Sequence, residues 1–262
     1  MVRFLSLEGR VTKEGRLLAK MHMIRELLPA EIARPAFRLL MPGKYRELRA
    51  LRTHIPSGPE DRSFAPLIRH QCLFVHIPKT AGISLGRALF GCFTGGHMTM
   101  LDYQLAFSAE EIQRFFTFTF VRNPWDRAVS SYCYLKTGGR NPADAADAAR
   151  IIAPHRDFDT FVRAYLGSGR EPRQKHFIPQ HRFLAATRGG PPLVDFIGRF
   201  ERLNADFATV CKRLGIENSL DRENATGTRP ADYRSLYTDQ TAEIVGRAYA
   251  RDAELFDYGF DG

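Results

Sequence analysis

Leu73-Phe74-Val75-His76-Ile77-Pro78-Lys79-Thr80-Ala81-Gly82-Ile83-Ser84 is the stretch whose reading decides the fold. A run of large apolar side chains stops at Pro78. Lys79, the hydroxyls of Thr80 and Ser84, and Gly82 follow. Apolar residues then recur at Leu85, Ala88, Leu89 and Cys92, the spacing of one helix face. The pattern predicts a strand over residues 72–77, a short loop, and a helix that ends near Gly95-Gly96. Such a loop aims backbone N–H groups and the positive end of a helix dipole at one point, and Lys79 adds a full charge there. The expected ligand is a phosphate-like anion. The loop is not a Walker A sequence, because that order of glycines, lysine and hydroxyl residue is absent.

A second strand–loop–helix unit follows downstream. Residues 115–121 read as a second strand, and Phe120-Val121-Arg122-Asn123-Pro124-Trp125-Asp126 carries it into a helix. Asn123 is a helix cap, Pro124 the first helical residue and Asp126 a first-turn acid. Trp125, Ala128, Val129, Tyr132 and Cys133 mark the buried side, and Arg127 reads as a surface or helix-pairing residue. Arg122 leaves the strand end, and Ser130 lies about two helical turns further on. A guanidinium fork and a hydroxyl suit a second phosphate.

Further along, residues 138–149 read as a surface insertion and 158–166 as a helix. Residues 168–175 form a basic loop, and 194–200 read as a third strand. A periodic helix from Leu203 to Leu214 stops at Gly215, and a last helix spans about 241–256. Strands alternating with helices predict an α/β fold with a central parallel sheet flanked by helices. Residues 1–70 are basic, cut by Pro29, Pro35 and Pro42, and read as a helical N-terminal extension to a domain of residues 71–262.

At 262 residues, with 44% hydrophobic and 26% charged content, the chain is an ordinary globular protein. Its formal charge of +9 calls for an anionic partner without naming one. Cys72, Cys92, Cys133 and Cys211 form no CxxC pair or metal spacing, and no metal is expected. No apolar run reaches the ~18 residues of a membrane span, and residues 1–9 lack signal-peptide order. The expected location is cytoplasmic, with contact at a membrane surface left open.

The two phosphate motifs carry a resemblance. Residues 77–84 resemble the 5′-phosphosulfate loop of sulfotransferases, and residues 120–132, with Arg122 and Ser130, are similar to their 3′-phosphate motif. The type resembled is the carbohydrate sulfotransferase, family 2 group, with its P-loop NTPase-like fold. His176-Phe177-Ile178-Pro179-Gln180, Ile197-Gly198-Arg199-Phe200-Glu201 and Leu255-Phe256-Asp257-Tyr258-Gly259-Phe260 add support. The resemblance implies a donor, 3′-phosphoadenosine 5′-phosphosulfate (PAPS, leaving PAP as product), and a carbohydrate-type or other hydroxyl acceptor. Lys79, Thr80, Ala81, Gly82, Ile83 and Ser84 would hold the 5′ side of that donor. Arg122 and Ser130 would hold its 3′-phosphate. Thr228 and Arg229 lie in a late segment that closes over the nucleotide in similar enzymes. Asp221-Arg222-Glu223-Asn224 stands beside them where a histidine often occurs in the group.

In-line sulfuryl transfer needs Lys79 to neutralise charge growing on the bridging oxygen, and a base to take the acceptor proton. His97, on the loop after the first helix, is the first candidate. His176 and His181 are the alternatives, and His76 reads as a buried, hydrogen-bonded strand residue. Arg170, Arg173, Lys175 and Arg182 crowd a region able to line an acceptor groove. Two other classes compete. A nucleotide phosphotransferase lacks its Walker A order here. A non-catalytic basic module for anionic glycan or nucleic acid lacks clustered basic residues and any aromatic-interleaved RNA motif, so no nucleic acid is expected.

Overall fold

The computed structural model describes residues 35, 38–185, 190–220, 230 and 232–262. Two helices, α1 (Pro42–Thr53) and α2 (Ala65–Arg69), precede a parallel sheet of three strands among the described residues. The strands β1 (Cys72–Val75), β2 (Phe116–Val121) and β3 (Phe196–Arg199) lie side by side in that order. Val75 pairs with Thr119, and Val121 with Arg199. Every residue of β1 is buried, as is all of β2 beyond Phe116. Helices cover both faces of such a sheet, which is why its strands read as nearly continuous apolar runs.

Parallel strands require long crossovers. The first holds α3 (Gly82–Phe90), α4 (Met100–Ala106) and α5 (Ala109–Arg114). The second holds α6 (Pro124–Lys136), α7 (Pro142–Ile151), α8 (Phe158–Tyr165) and α9 (His181–Leu184). After β3 come α10 (Leu203–Leu214), α11 (Asp239–Ala248) and α12 (Ala250–Phe256). One core cluster surrounds the sheet and includes Leu48, Phe64 and Leu67, so α1 and α2 share the sheet's interior. A second cluster joins α6, α7, α8 and α11 through Trp125, Val129, Ile151, Phe161 and Val245.

Several expectations shift. The first strand ends at Val75 rather than residue 77. His76 instead turns into the loop, and its ring lies against Gly82, where an added Cβ would come within 1.8 Å of Cδ2. The second and third strands begin one and two residues late, at Phe116 and Phe196. The supposed insertion at 138–149 contains α7, because Asn141 caps it by accepting from the Asp144 N–H and Pro142 opens its first turn. The last helix is two, broken at Tyr249, whose buried phenol donates to the Phe177 carbonyl at 2.8 Å. Of the N-terminal extension, Pro29 lies outside the described residues, and Pro42 opens α1. No described helix is long and apolar enough to cross a membrane. All four cysteines are free and buried.

Candidate active site

The loop between β1 and α3 is wound tightly. Lys79 and Ala81 both hold left-handed backbone, at φ +71° and +63°. For residues with a Cβ this costs on the order of 1–3 kcal/mol each, and such strain clusters where a loop must present its N–H groups to a ligand. Thr80 is buried, and its Oγ1 donates to the Ile77 carbonyl at 2.9 Å, so this hydroxyl ties the loop together. Gly82 begins α3, while Ala81, Ile83 and Ser84 are half-buried around it. The loop, the helix N-terminus and Lys79 therefore meet at the carboxyl end of β1, where open α/β sheets bind ligands.

The second motif is joined to the first. Arg122 is 3% exposed, and its Nη1 donates to the Lys79 carbonyl at 3.0 Å. Its Nε donates to Asp126 at 2.8 Å, and its guanidinium lies 3.9 Å from the Phe200 ring centroid. The peptide groups of Arg122 are bracketed by one amide: Gln180 Oε1 accepts from the Arg122 N–H at 2.9 Å, and Gln180 Nε2 donates to the Arg122 carbonyl at 2.8 Å. Asn123 caps α6 through Trp125 N (3.0 Å) and Asp126 N (3.4 Å). Its own N–H donates to Glu201 at 2.7 Å. Ser130, further along α6, is 7% exposed.

From Lys79 a chain of rings leads to the candidate bases. The Lys79 ammonium sits 4.1 Å from the Tyr134 ring centroid. Tyr134 meets His176 at 4.8 Å, His176 meets His97 at 5.9 Å, and His97 meets His76 at 4.4 Å. Burial, reinforced by Arg122, pushes the Lys79 ammonium down to about 8. Burial, reinforced by the charge of Lys175, pushes the His97 imidazole down to about 4. His97 is therefore neutral near pH 7, with a lone pair available to take a proton. Despite the three imidazoles, no group of histidine, cysteine and acidic residues that could hold a metal ion occurs among the described residues.

A sequence model of the sulfotransferase family matches residues 67–259. The chain belongs to the sulfotransferase family. It is also 31% identical over 107 residues to an uncharacterized protein of Archaeoglobus fulgidus, an overlap that covers 41% of this chain and 73% of that protein. Membership supports sulfotransfer in general as the chain's activity.

In this sulfotransferase the structure gathers Lys79, Arg122, His97 and His176 into one site. His181 is instead paired with the buried Asp252, Nδ1 to Oδ1 at 2.6 Å, whose other oxygen accepts from the Gln180 N–H at 2.6 Å. Thr228 and Arg229 lie outside the described residues. Two readings are corrected. His76 is buried but its Nδ1 has no hydrogen-bond partner, because its ring is wedged between Gly82, Phe93 and His97. Arg127 is not a surface residue. It is 2% exposed, donates to the His176 carbonyl at 3.1 Å and to the Ile178 carbonyl, and so fixes the His176 segment.

Residues without a motif complete the wall. Asp144 on α7 accepts from the Tyr134 hydroxyl at 2.5 Å and from Asn141 at 2.8 Å, and pairs with Lys175 at 2.7 Å. Gly139 stands beside it at φ +68°, where a Cβ would come within 2.2 Å of the Asp144 Cβ. The Ala/Asp composition around Asp144 hides this role. Only its place at N3, after an Asn-Pro cap, distinguished it from a surface acid.

Proposed function

We propose that this sulfotransferase moves a sulfuryl group from PAPS to a hydroxyl of a carbohydrate-type acceptor. One observation carries the reading: Arg122 donates to the carbonyl of Lys79, so the two anion-binding motifs form a single continuous cradle. The residues present suit the donor's two ends. The strained loop and the N-terminus of α3 offer N–H groups to the 5′ side, with Lys79, Thr80, Ala81, Gly82, Ile83 and Ser84 around it. Arg122, just before α6, and Ser130, midway along it, are suited to the 3′-phosphate.

PAPS, when bound, supplies an activated sulfuryl group whose departing phosphate gains negative charge. Lys79 is placed to neutralise that charge, with the Tyr134 ring beneath its ammonium until an anion arrives. His97 takes the proton of the acceptor hydroxyl as that oxygen bonds to sulfur. Most of the rate enhancement comes from positioning and charge, as in phosphoryl transfer.

Calorimetric titration with PAP tests the reading. The wild type should bind. Lys79→Ala and Arg122→Ala should each weaken binding about tenfold or more, since a hydrogen bond to a charged group is worth about 1.5–3 kcal/mol. A wild type that ignores PAP rejects the donor assignment.

A further inference from the structure

His176 is anchored through its backbone carbonyl, its backbone N–H and its ring Nδ1. Its backbone carbonyl accepts from Arg127 Nη1 at 3.1 Å and from Ser131 Oγ at 2.8 Å. Its backbone N–H donates to Gln174 Oε1 at 2.7 Å. That bond fixes which way the Gln174 amide faces, because an amide nitrogen there would meet the N–H donor to donor. Gln174 Nε2 consequently faces His176 Nδ1 at 3.1 Å and Asp147 Oδ2 at 3.2 Å. An amide nitrogen only donates, so Nδ1 is an acceptor and carries no proton. A neutral imidazole with a bare Nδ1 has its proton on Nε2. Gln174 is 4% exposed, and turning its amide would break all three bonds at once.

This geometry leaves His176 no lone pair with which to act as a base. Its one lone pair is engaged by Gln174, and a proton added at Nδ1 would confront the Gln174 N–H. Burial, with the charges of His97 and Lys175, also holds the imidazole down to about 3. What His176 offers the site is an N–H.

We propose that His176 serves sulfuryl transfer as a neutral hydrogen-bond donor through Nε2, that Gln174 is the positioning residue which sets this tautomer, and that proton acceptance falls to His97 alone. The proposal rests on the sulfotransferase reading above. In the step, the acceptor oxygen bonds to sulfur as the sulfur–oxygen bond to phosphate breaks. His97 takes the hydroxyl proton, and the electron pair of the broken bond stays on the phosphate oxygen opposite Lys79. His176 gains and loses no proton. Its N–H donates to a sulfuryl oxygen, much as an oxyanion-hole donor steadies charge that shifts during acyl transfer.

The test uses the full chain labelled with 15N-histidine. Multiple-bond proton–nitrogen correlation, recorded without ligand between about pH 5 and 8, should show His176 protonated at Nε2 only and not titrating. Turnover is then read as PAP released from PAPS in the presence of a pool of neutral and uronic-acid oligosaccharides. His176→Gln keeps an N–H donor but removes any base, and should retain turnover within about tenfold. His176→Ala should lose about a hundredfold or more, with PAP affinity unchanged in both. Gln174→Glu puts an acceptor against Nδ1, should move the proton there, and should cut kcat without changing PAP affinity.

A wild-type spectrum with the proton on Nδ1 overturns the proposal. So does a His176→Gln variant as inactive as His176→Ala, which is the behaviour of a base. A wild type that binds no PAP overturns the sulfotransferase reading and this role with it, and the ligand-free spectrum distinguishes that failure from a wrong tautomer.

Discussion

Arg122 Nη1 lies 3.0 Å from the carbonyl oxygen of Lys79, so the guanidinium at the end of β2 braces the lysine loop at the end of β1. Two motifs some forty residues apart in sequence act as one mechanical unit. The bond runs to the backbone of the residue whose left-handed conformation the loop depends on. Losing Arg122 therefore removes the residue proposed for the 3′-phosphate and loosens the loop proposed for the 5′ side.

Coupling between the two residues follows. Lys79→Ala and Arg122→Ala should weaken PAP binding by amounts that do not add. The double variant should fall short of the sum by an interaction term of about 0.5–3 kcal/mol, the range for residues in one network. Calorimetry on all four proteins measures it. Strict additivity would show that the bond between them does not matter for binding.

PAP affinity should depend on pH through Lys79. Burial, then Arg122, hold its ammonium down to about 8 in the free protein. A bound anion favours the charged form and raises that value, so binding takes up protons wherever the free lysine is partly neutral. Affinity should be constant well below pH 8 and decline as pH rises through and above it. Lys79→Arg should abolish the decline, because a guanidinium stays charged throughout. Titrations in buffers of different ionisation enthalpy at alkaline pH read the proton uptake directly.

His97→Ala should cut turnover strongly, about a hundredfold or more, while PAP affinity stays near that of the wild type. The acid limb of kcat reports the same group. Burial and the charge of Lys175 hold His97 at about 4, so activity should persist below the usual histidine range. Lys175→Met removes a cation and leaves Asp144 without its 2.7 Å partner. Both changes favour the imidazolium, so the acid limb should move to higher pH. A limb that stays in place would separate Lys175 from the base.

Gly82→Ala should destabilise the fold and disturb the site together. The new methyl would fall within 1.8 Å of the His76 ring, which is 2% exposed and has nowhere to retreat. Overpacking of this kind costs about 1–3 kcal/mol, and each kcal/mol lowers Tm by about 2–4 °C in a chain of this size. Thermal unfolding gives the first figure. An unchanged Tm would mean that His76 moves freely.

Much of the architecture is legible in local sequence. The alternation of apolar runs with helical periodicity, the Asn123-Pro124 cap and the Gly215 stop needed no tertiary information, because each depends on neighbours within a few residues. The errors lie where distant groups intervene. The first strand stops early because His76 packs on Gly82 and His97. Arg127 resembled a surface residue because its partners, the carbonyls of His176 and Ile178, are about fifty residues away. Asp144 resembled its solvated neighbours because Tyr134 and Lys175 come from other segments.

By itself the chain's order of residues determined a parallel α/β sheet with a cationic loop at each of two strand ends, since strand, turn and cap chemistry are short-range. Only the tertiary structure decided that the two loops share a hydrogen bond, that the Tyr134 ring links Lys79 to His176 and His97, and that an amide on Gln174 selects which nitrogen of His176 holds the proton. Those relations depend on hydrogen bonds and ring contacts at a few ångströms between segments far apart in sequence, a scale that residue spacing does not encode.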